Sequence, residues 1–205
     1  MEGPILRTPE MVLRLAEILF GETQPGSRFE WFSPFKVEDD EGVWSVSGRV
    51  DPSRTLPPDA FDDQLENPIF HMHVVNVDAE VKDVGITVGM KLPPDLKAQI
   101  RAAIAAEGDE LRKSREQRSR EYLPDLSLCD VHYGGIINST GAAIRFGELI
   151  FENQFSLRPE KVRKVRAEEV DGLWHVYGDL DGRRAELVFR RFNAQVLSLD
   201  LRPVE

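Results

Sequence analysis

Cysteine, long apolar runs and recognisable cofactor motifs are scarce in this 205-residue sequence. The single cysteine, Cys129, excludes an intramolecular disulfide framework and favours a reducing compartment. No run of about eighteen apolar residues is present, so no membrane-spanning helix is expected. The first residues also lack the basic and apolar regions of a signal peptide. These absences predict a cytoplasmic protein without membrane contact.

Residues that could carry catalysis or hold a cofactor are also few. No Gly-rich phosphate loop is present, because Gly134-Gly135 is followed by two isoleucines. His71 and His73 share one strand face and would hold a metal only with acidic ligands from elsewhere, so ordinary strand histidines are the favoured interpretation. Cys129 is interpreted as structural, although Asp130 and His132 are close in sequence. We therefore predict no enzyme activity, no cofactor and no metal.

Negative charge is concentrated in one part of the chain. The net charge is −10, and residues 1–90 account for it with 17 acidic and 7 basic side chains. Residues 91–134 and 135–205 are each neutral overall. Such a field repels nucleic acid and anionic lipid and attracts basic partners, while simple solubility is the alternative explanation. The one dense basic run, 161–166, alternates with valine and suits a charged edge strand better than nucleic-acid binding.

Three blocks of sequence occur twice in the same order, which predicts an internal repeat. Thr8–Phe20 aligns with Ser139–Phe151 through its apolar positions and a shared glutamate, Glu17 or Glu148. Farther along, an acidic-Gly-apolar-Trp-x-Val-x-Gly string recurs, at 41–48 and 171–178. The third block is 77–81, which aligns with 192–196. Both tryptophans of the recurring string are expected in the core.

The periodicity of these blocks predicts an α+β fold with two repeated units. Each unit is an N-terminal helix packed on a curved antiparallel sheet of three to four strands. Thr8 and either Ser139 or Thr140 are the expected helix caps. The predicted domains are 1–88, an acidic unit with a long Pro- and Asp-rich loop at 51–67; 89–133, a mainly helical connector; and 134–205, the second unit.

Aromatic and acidic residues of the first unit form the predicted partner surface. An aromatic cluster that includes Trp31 and Phe32 has no counterpart in the second copy, and an acidic run follows it closely. Aromatic anchors beside acids suit a basic protein partner, while an aromatic plug in the core is the alternative. The predicted contacts are Trp31, Phe32, Glu38, Asp39, Asp40, Glu41, Asp59, Asp62, Asp63 and Glu66.

The second copy resembles a known family. Its Gly-Gly-Ile-Ile segment at 134–137, the helix with Ala143–Glu148 and the Asp-Gly-Leu-Trp-His-Val-Tyr-Gly string are similar to small bacterial immunity proteins with a nuclear-transport-factor-2-like (cystatin-like) fold. The similarity covers residues 134–203 and extends to 5–85. It departs from the family in having two units and a connector, where the family usually has one unit.

The resemblance implies that the protein binds and neutralises a cognate bacterial toxin by occlusion, as in interbacterial competition. Toxins of this kind often act on nucleic acids and are basic, so a basic toxin domain is the implied partner. The family supplies no catalytic residues. One alternative is a small-molecule-binding or isomerase-like enzyme with a pocket inside one unit, for which Glu17 and Glu148 would be the proton-transferring carboxylates. A third is a homo-oligomeric scaffold.

Overall fold

The computed structural model describes residues 3–24, 28–50, 65–90 and 135–203, with side chains at 68–86 of the third range. The fold is mixed α+β, with two four-stranded antiparallel sheets and a helix packed on each. The strand order is β1-β2-β3-β4 in one sheet and β5-β6-β7-β8 in the other. Each sheet is thus a simple meander in which neighbours in sequence are neighbours in space.

The same order of elements occurs before and after residues 91–134, which lie outside the described residues. The first group is α1 (Pro9–Thr23), a 3-10 turn (Phe29–Phe32), β1 (Phe35–Asp40), β2 (Val43–Arg49), β3 (Leu65–Val75) and β4 (Val81–Met90). The second group is α2 (Thr140–Gln154), a 3-10 turn (Pro159–Lys161), β5 (Val162–Val170), β6 (Leu173–Leu180), β7 (Arg183–Arg190) and β8 (Val196–Pro203).

Both helices begin at a hydroxyl cap. The Thr8 side chain accepts a hydrogen bond from the Met11 amide, and the Ser139 side chain accepts one from the Ala142 amide. These bonds satisfy donors that the first helical turn leaves unpaired. The cap predicted at Thr8 is confirmed, and Ser139 is the cap of α2. The apolar face predicted for α1 is also confirmed, because its members are all buried: Met11, Val12, Leu15, Ile18 and Leu19.

Alternation along the strands places one face of each sheet against its helix. In β2 the buried residues are Trp44, Val46 and Gly48, and β6 repeats this pattern. The indole nitrogens of Trp44 and Trp174 donate to the carbonyls of Leu6 and Ile137, at 3.2 and 2.8 Å. Each ring is therefore buried without leaving its N–H unpaired. The prediction that both tryptophans lie in the core is confirmed.

A glycine lets α2 approach its sheet closely. A Cβ atom added to Gly147 would lie 2.5 Å from Cγ1 of Val176 in β6. The corresponding position of α1 is Ala16, which is fully buried and already carries a Cβ. The position that faces the sheet therefore has room for a Cβ atom in α1 but not in α2.

The two groups of elements meet along matching hydrogen bonds. The Val81 amide donates to the Asn193 carbonyl at 2.8 Å, and the Val196 amide donates to the Asp78 carbonyl at 2.7 Å. A side-chain hydrogen bond joins the same two turns, because Gln195 Nε2 donates to Asp78 Oδ2 at 2.9 Å. The β3–β4 and β7–β8 turns thus bind each other reciprocally.

The helices also pack on each other, and they run in opposite directions. Glu22, near the C-terminal end of α1, accepts hydrogen bonds from the amides of Asn138 and Ser139 at 3.2 and 3.0 Å. Gln154, at the C-terminal end of α2, donates to the Ile5 carbonyl at 2.9 Å. Each helix end therefore contacts the segment that leads into the other helix. The buried apolar side chains of both groups form one continuous core.

Several predicted boundaries need correction. Strand β4 runs to Met90, so it crosses the predicted domain boundary at 88 and takes the first residues of the predicted connector. Strand β3 begins at Leu65, so residues 65–67 of the predicted loop 51–67 belong to a strand, and residues 51–64 lie outside the described residues. Helix α1 continues past Gly21 to Thr23. The rest of the connector lies outside the described residues.

Two further expectations can be compared with the structure. The basic run 161–166 lies mostly in β5, which pairs with β6 alone, so the predicted edge strand is confirmed. None of the helices in the described part of the chain is long and apolar enough to cross a membrane.

Candidate functional site

The acidic run of the first group lies on an exposed hairpin. We name Glu38, Asp39, Asp40 and Glu41 the acidic hairpin; they form the end of β1 and the turn into β2, and all four are exposed. The turn is a two-residue connection in which Glu41 and Gly42 have φ values of 49° and 91°. Such turns match the twist of antiparallel strands. Among the described strands β1 pairs only with β2, so the carboxylates lie at an edge of that sheet.

Little positive charge in the described residues offsets the acidic hairpin. Lys36 Nζ lies 2.7 Å from Glu38 Oε1, in an ion pair whose side chains are 68% and 57% exposed. Asp39 accepts a hydrogen bond from the Gly42 amide at 3.1 Å, which fixes the turn. Neither Asp40 nor Glu41 has an ion pair with another described residue. The strand edge therefore presents a compact negative charge to solvent.

The corresponding hairpin of the second group has a carboxylate that is paired with an arginine of the chain. Its carboxylates are Glu168, Glu169 and Asp171, and Val170 takes the place of Asp40. Arg191 Nη1 donates to both carboxylate oxygens of Glu169, at 2.9 and 3.1 Å. The Tyr177 hydroxyl donates to Glu168 Oε1 at 3.0 Å.

The residue that matches Arg191 in the first group is uncharged. The Arg191 amide donates to the Gly172 carbonyl at 3.0 Å, and the Asn76 amide donates to the Gly42 carbonyl at 2.9 Å. The two residues therefore occupy the same backbone position beside their hairpins. Asn76 brings no cation to that position, so the acidic hairpin keeps its charge.

Trp31 and Phe32, which sequence analysis placed together at the partner surface, lie in different environments. Phe32 has no exposed surface, and its ring packs edge-on against Phe20 at a centroid distance of 5.6 Å. The assignment of Phe32 as a partner contact is therefore corrected, because it is part of an aromatic core cluster. Trp31 is half-buried and lines a groove beside α1.

The remaining predicted contacts lie largely beyond what the structure describes. Asp59, Asp62 and Asp63 are outside the described residues. Glu66 belongs to strand β3 and pairs with Gly89 of β4, rather than lying in a loop as predicted. The side chain of Glu66 is also outside the described part.

A groove of about 920 Å³ opens between the two helices and the 3-10 turn of the first group. We name it the interhelix groove. It lies outside both helix–sheet interfaces, which are filled by buried rings such as Phe20, Phe70, Phe146 and Phe189. Its charged lining residues are Arg14, Glu17, Arg28, Glu30, Arg145 and Glu148, and Phe29 and Trp31 supply aromatic surface.

The Glu148 carboxyl in the groove has a raised pKa. Burial raises the pKa of Glu148, and the negative charge of nearby Glu152 raises it further; Arg14 and Arg145 partly offset both effects. Glu17 occupies the same position of α1 but is exposed. Of the two glutamates singled out in the sequence, only Glu148 is thus partly withdrawn from water.

His71 and His73 lie on the sheet face that points away from α1. Asp83 of β4 lies between them, with its Oδ2 atom 2.9 Å from His71 Nε2 and 3.8 Å from His73 Nδ1. The hydrogen bond and charge of Asp83 raise the pKa of His71, and the histidines lower that of Asp83. Among the described residues no group of three or more His, Cys, Asp or Glu side chains is arranged to hold a metal ion.

Sequence reasoning missed the basic side of the interhelix groove. Arg28 and Arg145 are far apart in the chain and belong to no motif, so nothing local marks them. The available signal was the alignment of the two helices, in which Arg145 falls on Arg14 and Glu152 falls on Gly21. The α1 side of the helix pair therefore has one carboxylate fewer, because it has Gly21 where α2 has Glu152.

Comparison with known proteins adds no relative. No family model, curated protein or solved structure matches the chain significantly. The similarity to immunity proteins accordingly stays a prediction from the sequence motifs.

Proposed function

We propose that the protein is an immunity protein that binds a basic toxin domain through the acidic hairpin and neutralises it by occlusion in the cytoplasm. The observation that carries the proposal is the contrast between the two hairpins. Equivalent turns both hold carboxylates. The second has Arg191 beside it, in the turn after β7, whereas the first has Asn76 at that position and one exposed ion pair, between Lys36 and Glu38. The first hairpin keeps its negative charge available for cations from another molecule.

Charge of this kind acts mainly on association. Clustered carboxylates on an exposed edge raise the local concentration of a basic partner and orient its approach. The effect weakens with ionic strength because the Debye length is about 8 Å under physiological conditions. Trp31, half-buried next to α1, offers an amphipathic ring of the type that anchors protein interfaces.

We also propose that the two groups of elements are diverged copies of one unit, an N-terminal helix on a curved antiparallel sheet, joined by a helical connector. The support is positional. Capped helices of 15 residues each open both groups, and the indole-to-carbonyl bonds fall at corresponding residues. In this arrangement the second unit acts as a scaffold, and the first, more acidic unit carries the interaction.

The experiment is co-expression of the full chain with the C-terminal domain of the protein encoded by the preceding gene. Rescue of growth together with a co-purifying complex would support the proposal. The decisive variant is Glu38→Gln, Asp39→Asn, Asp40→Asn, Glu41→Gln, which removes charge and keeps the shape. We expect it to slow association by about tenfold at low salt and to remove most of the salt dependence.

The matched control is Glu168→Gln, Glu169→Gln, Asp171→Asn in the second hairpin, which changes the same kinds of residue at equivalent positions. We expect it to change the association rate less than about twofold, because these acids are already engaged within the chain or lie beside arginines. Equal effects of the two variants would refute the placement of the partner surface. A chain that neither rescues growth nor forms a complex would refute the immunity function.

A further inference from the structure

The two sides of the helix pair differ by one carboxylate. Counted from their caps, Arg14 of α1 corresponds to Arg145 of α2, and Gly21 corresponds to Glu152. On one side Arg14 Nη1 lies 2.7 Å from Glu152 Oε2. On the other side Arg145 and Gly21 both line the interhelix groove, and Gly21 has no side chain to offer. Arg145 therefore lacks the cross-helix carboxylate that its counterpart has, and the carboxylate that it acts on is Glu148 of its own helix.

A second cation lines the same groove. Arg28 is exposed and lines the groove with Arg145. Neither arginine forms an ion pair with another residue in the described ranges. Guanidinium groups present donors that match a carboxylate in geometry and charge. The combination is a binding position for one carboxylate.

The aromatic and acidic residues of the groove determine which chemical groups the ligand can have besides its carboxylate. Phe29 and Trp31 line the groove with half-buried rings, which favours a ligand with a planar apolar part. Glu17, Glu30 and Glu148 line the same groove and disfavour a second negative charge on the ligand. A monoanion is thus preferred to a phosphate monoester or a dicarboxylate. The volume of about 920 Å³ is that of a small-molecule site.

We propose that the interhelix groove binds a small aromatic monocarboxylate. Its carboxylate takes the place beside Arg145 that Glu152 takes beside Arg14, and its ring lies against Phe29 and Trp31. The site is formed by other residues than the acidic hairpin, so it stands whether or not the chain binds a toxin.

The test is a titration of the full-length protein with phenylacetate, followed by calorimetry or by NMR of the tryptophan indole signals. Phenethyl alcohol and phenethylamine, which keep the ring and change the charge, are the ligand controls. We expect saturable binding of phenylacetate and binding at least about tenfold weaker for both controls, because a charged hydrogen bond is lost or opposed.

Two variants test the site, one by removing the cation and the other by adding a carboxylate. Arg145→Met removes the cation and should weaken phenylacetate binding about tenfold or more. Gly21→Glu should weaken it equally by supplying the missing carboxylate from within. That substitution has room, since a Cβ on Gly21 meets nothing within 4 Å, and replacing a helical glycine favours folding. Unchanged or higher thermal stability of Gly21→Glu would exclude misfolding as the cause.

Arg158→Met is the control variant, because Arg158 precedes the second 3-10 turn as Arg28 precedes the first and does not line the groove. We expect it to bind phenylacetate like the unaltered protein. The proposal fails if phenylacetate does not bind saturably or if the amine binds as well as the acid. It also fails if Arg145→Met and Gly21→Glu both bind phenylacetate normally.

Discussion

The hairpins at the ends of β1 and β5 share a backbone and differ in electrostatics. Both use a two-residue turn with an acidic residue and a glycine at positive φ. At the second, Arg191 pairs with Glu169; at the first, Asn76 holds the same backbone position without a charge. The meander therefore requires the turn, whereas the charged residues around the turn can differ without a change in the backbone. The first hairpin has one exposed ion pair, between Lys36 and Glu38, and keeps Asp40 and Glu41 without an ion pair to another described residue, a difference that the shared backbone does not require.

A comparison of the helix pair leads to a similar conclusion. The antiparallel contact keeps α1 and α2 together through bonds at both ends, and within that frame Glu152 fills one side and Gly21 opens the other. Differences between equivalent positions identify the acidic hairpin and the interhelix groove as the parts of the surface to test.

The close approach of α2 to its sheet can be broken by one methyl group. Gly147→Ala would place a Cβ 2.5 Å from Val176 Cγ1, and valine has little rotamer freedom with which to yield. We expect a loss of about 1–3 kcal/mol in the free energy of unfolding, despite the better helix propensity of alanine. Denaturant unfolding measures it. The double variant Gly147→Ala, Val176→Ala separates clash from other causes, since only a clash predicts a coupling between the two sites.

The contact between the helix ends depends on Glu22. Glu22→Ala removes the acceptor for the Asn138 and Ser139 amides and for the Ser139 hydroxyl, which lies 2.9 Å from Glu22 Oε1. We expect a loss of about 1–2 kcal/mol of unfolding free energy in the same assay. Glu17→Ala, on an exposed part of the same helix, is the control and should cost less than about 0.5 kcal/mol. Equal losses would contradict a specific role for Glu22.

The electrostatic difference between the hairpins can be exchanged. Asn76→Arg places in the first hairpin the cation that Arg191 provides in the second. We expect a basic partner to bind about two- to fivefold more weakly, because an added ion pair at an exposed site is worth about 0.5–1 kcal/mol. Binding assays at two salt concentrations measure this. Asn76→Gln controls for size, and a loss as large in that variant would point to shape instead of charge.

The smallest effect concerns the ion pair between His71 and Asp83, which has no equivalent on the second sheet, where Glu186 and Ser198 occupy the matching positions. Asp83 raises the pKa of His71, so this stabilisation is complete below the unfolded pKa of about 6.5 and is lost as pH rises through the folded value. The lowered pKa of Asp83 makes its own contribution complete above the unfolded pKa of about 3.9 and lost as pH falls through the folded value.

The two contributions therefore overlap most fully between about pH 4 and 6.5. His71→Gln should flatten the pH dependence of the unfolding free energy on the alkaline side of that window. His175→Gln is the control, since His175 lies farther from its carboxylate, at 3.5 Å from Glu186. Identical pH profiles for the His71→Gln variant and the unaltered protein would refute the assigned role.

Local features of the fold were accessible from sequence because local rules produce them. Thr8 is followed by proline and glutamate, a pattern that begins a helix wherever it stands. The acidic-Gly turns predict hairpins because glycine alone adopts positive φ without cost. Boundaries were less accessible: β3 starts at Leu65, two residues after the acid-rich stretch, where pairing with β4 overrides composition.

Some residues of the candidate site could likewise be predicted from the sequence, and others could not. The exposed carboxylates Glu38–Glu41 could be read from the sequence, because four adjacent acids have no means of being buried. Phe32 could not be distinguished from Trp31, since neighbouring aromatics differ only in which side the 3-10 turn directs to the core. Arg145 could not be singled out at all, because its importance depends on a glycine more than a hundred residues away.

The sequence by itself determined the capped helices, the tight turns and the location of negative charge, since each depends on residues within a few positions of one another. Only the tertiary structure decided which charges are neutralised and which side chains face a groove. Arg191, in the turn after β7, donates to Glu169 on β5, and Arg145 and Gly21 line one groove from different helices. Coulomb interactions and packing act over distance in space, and the chain order does not specify that distance until the fold is formed.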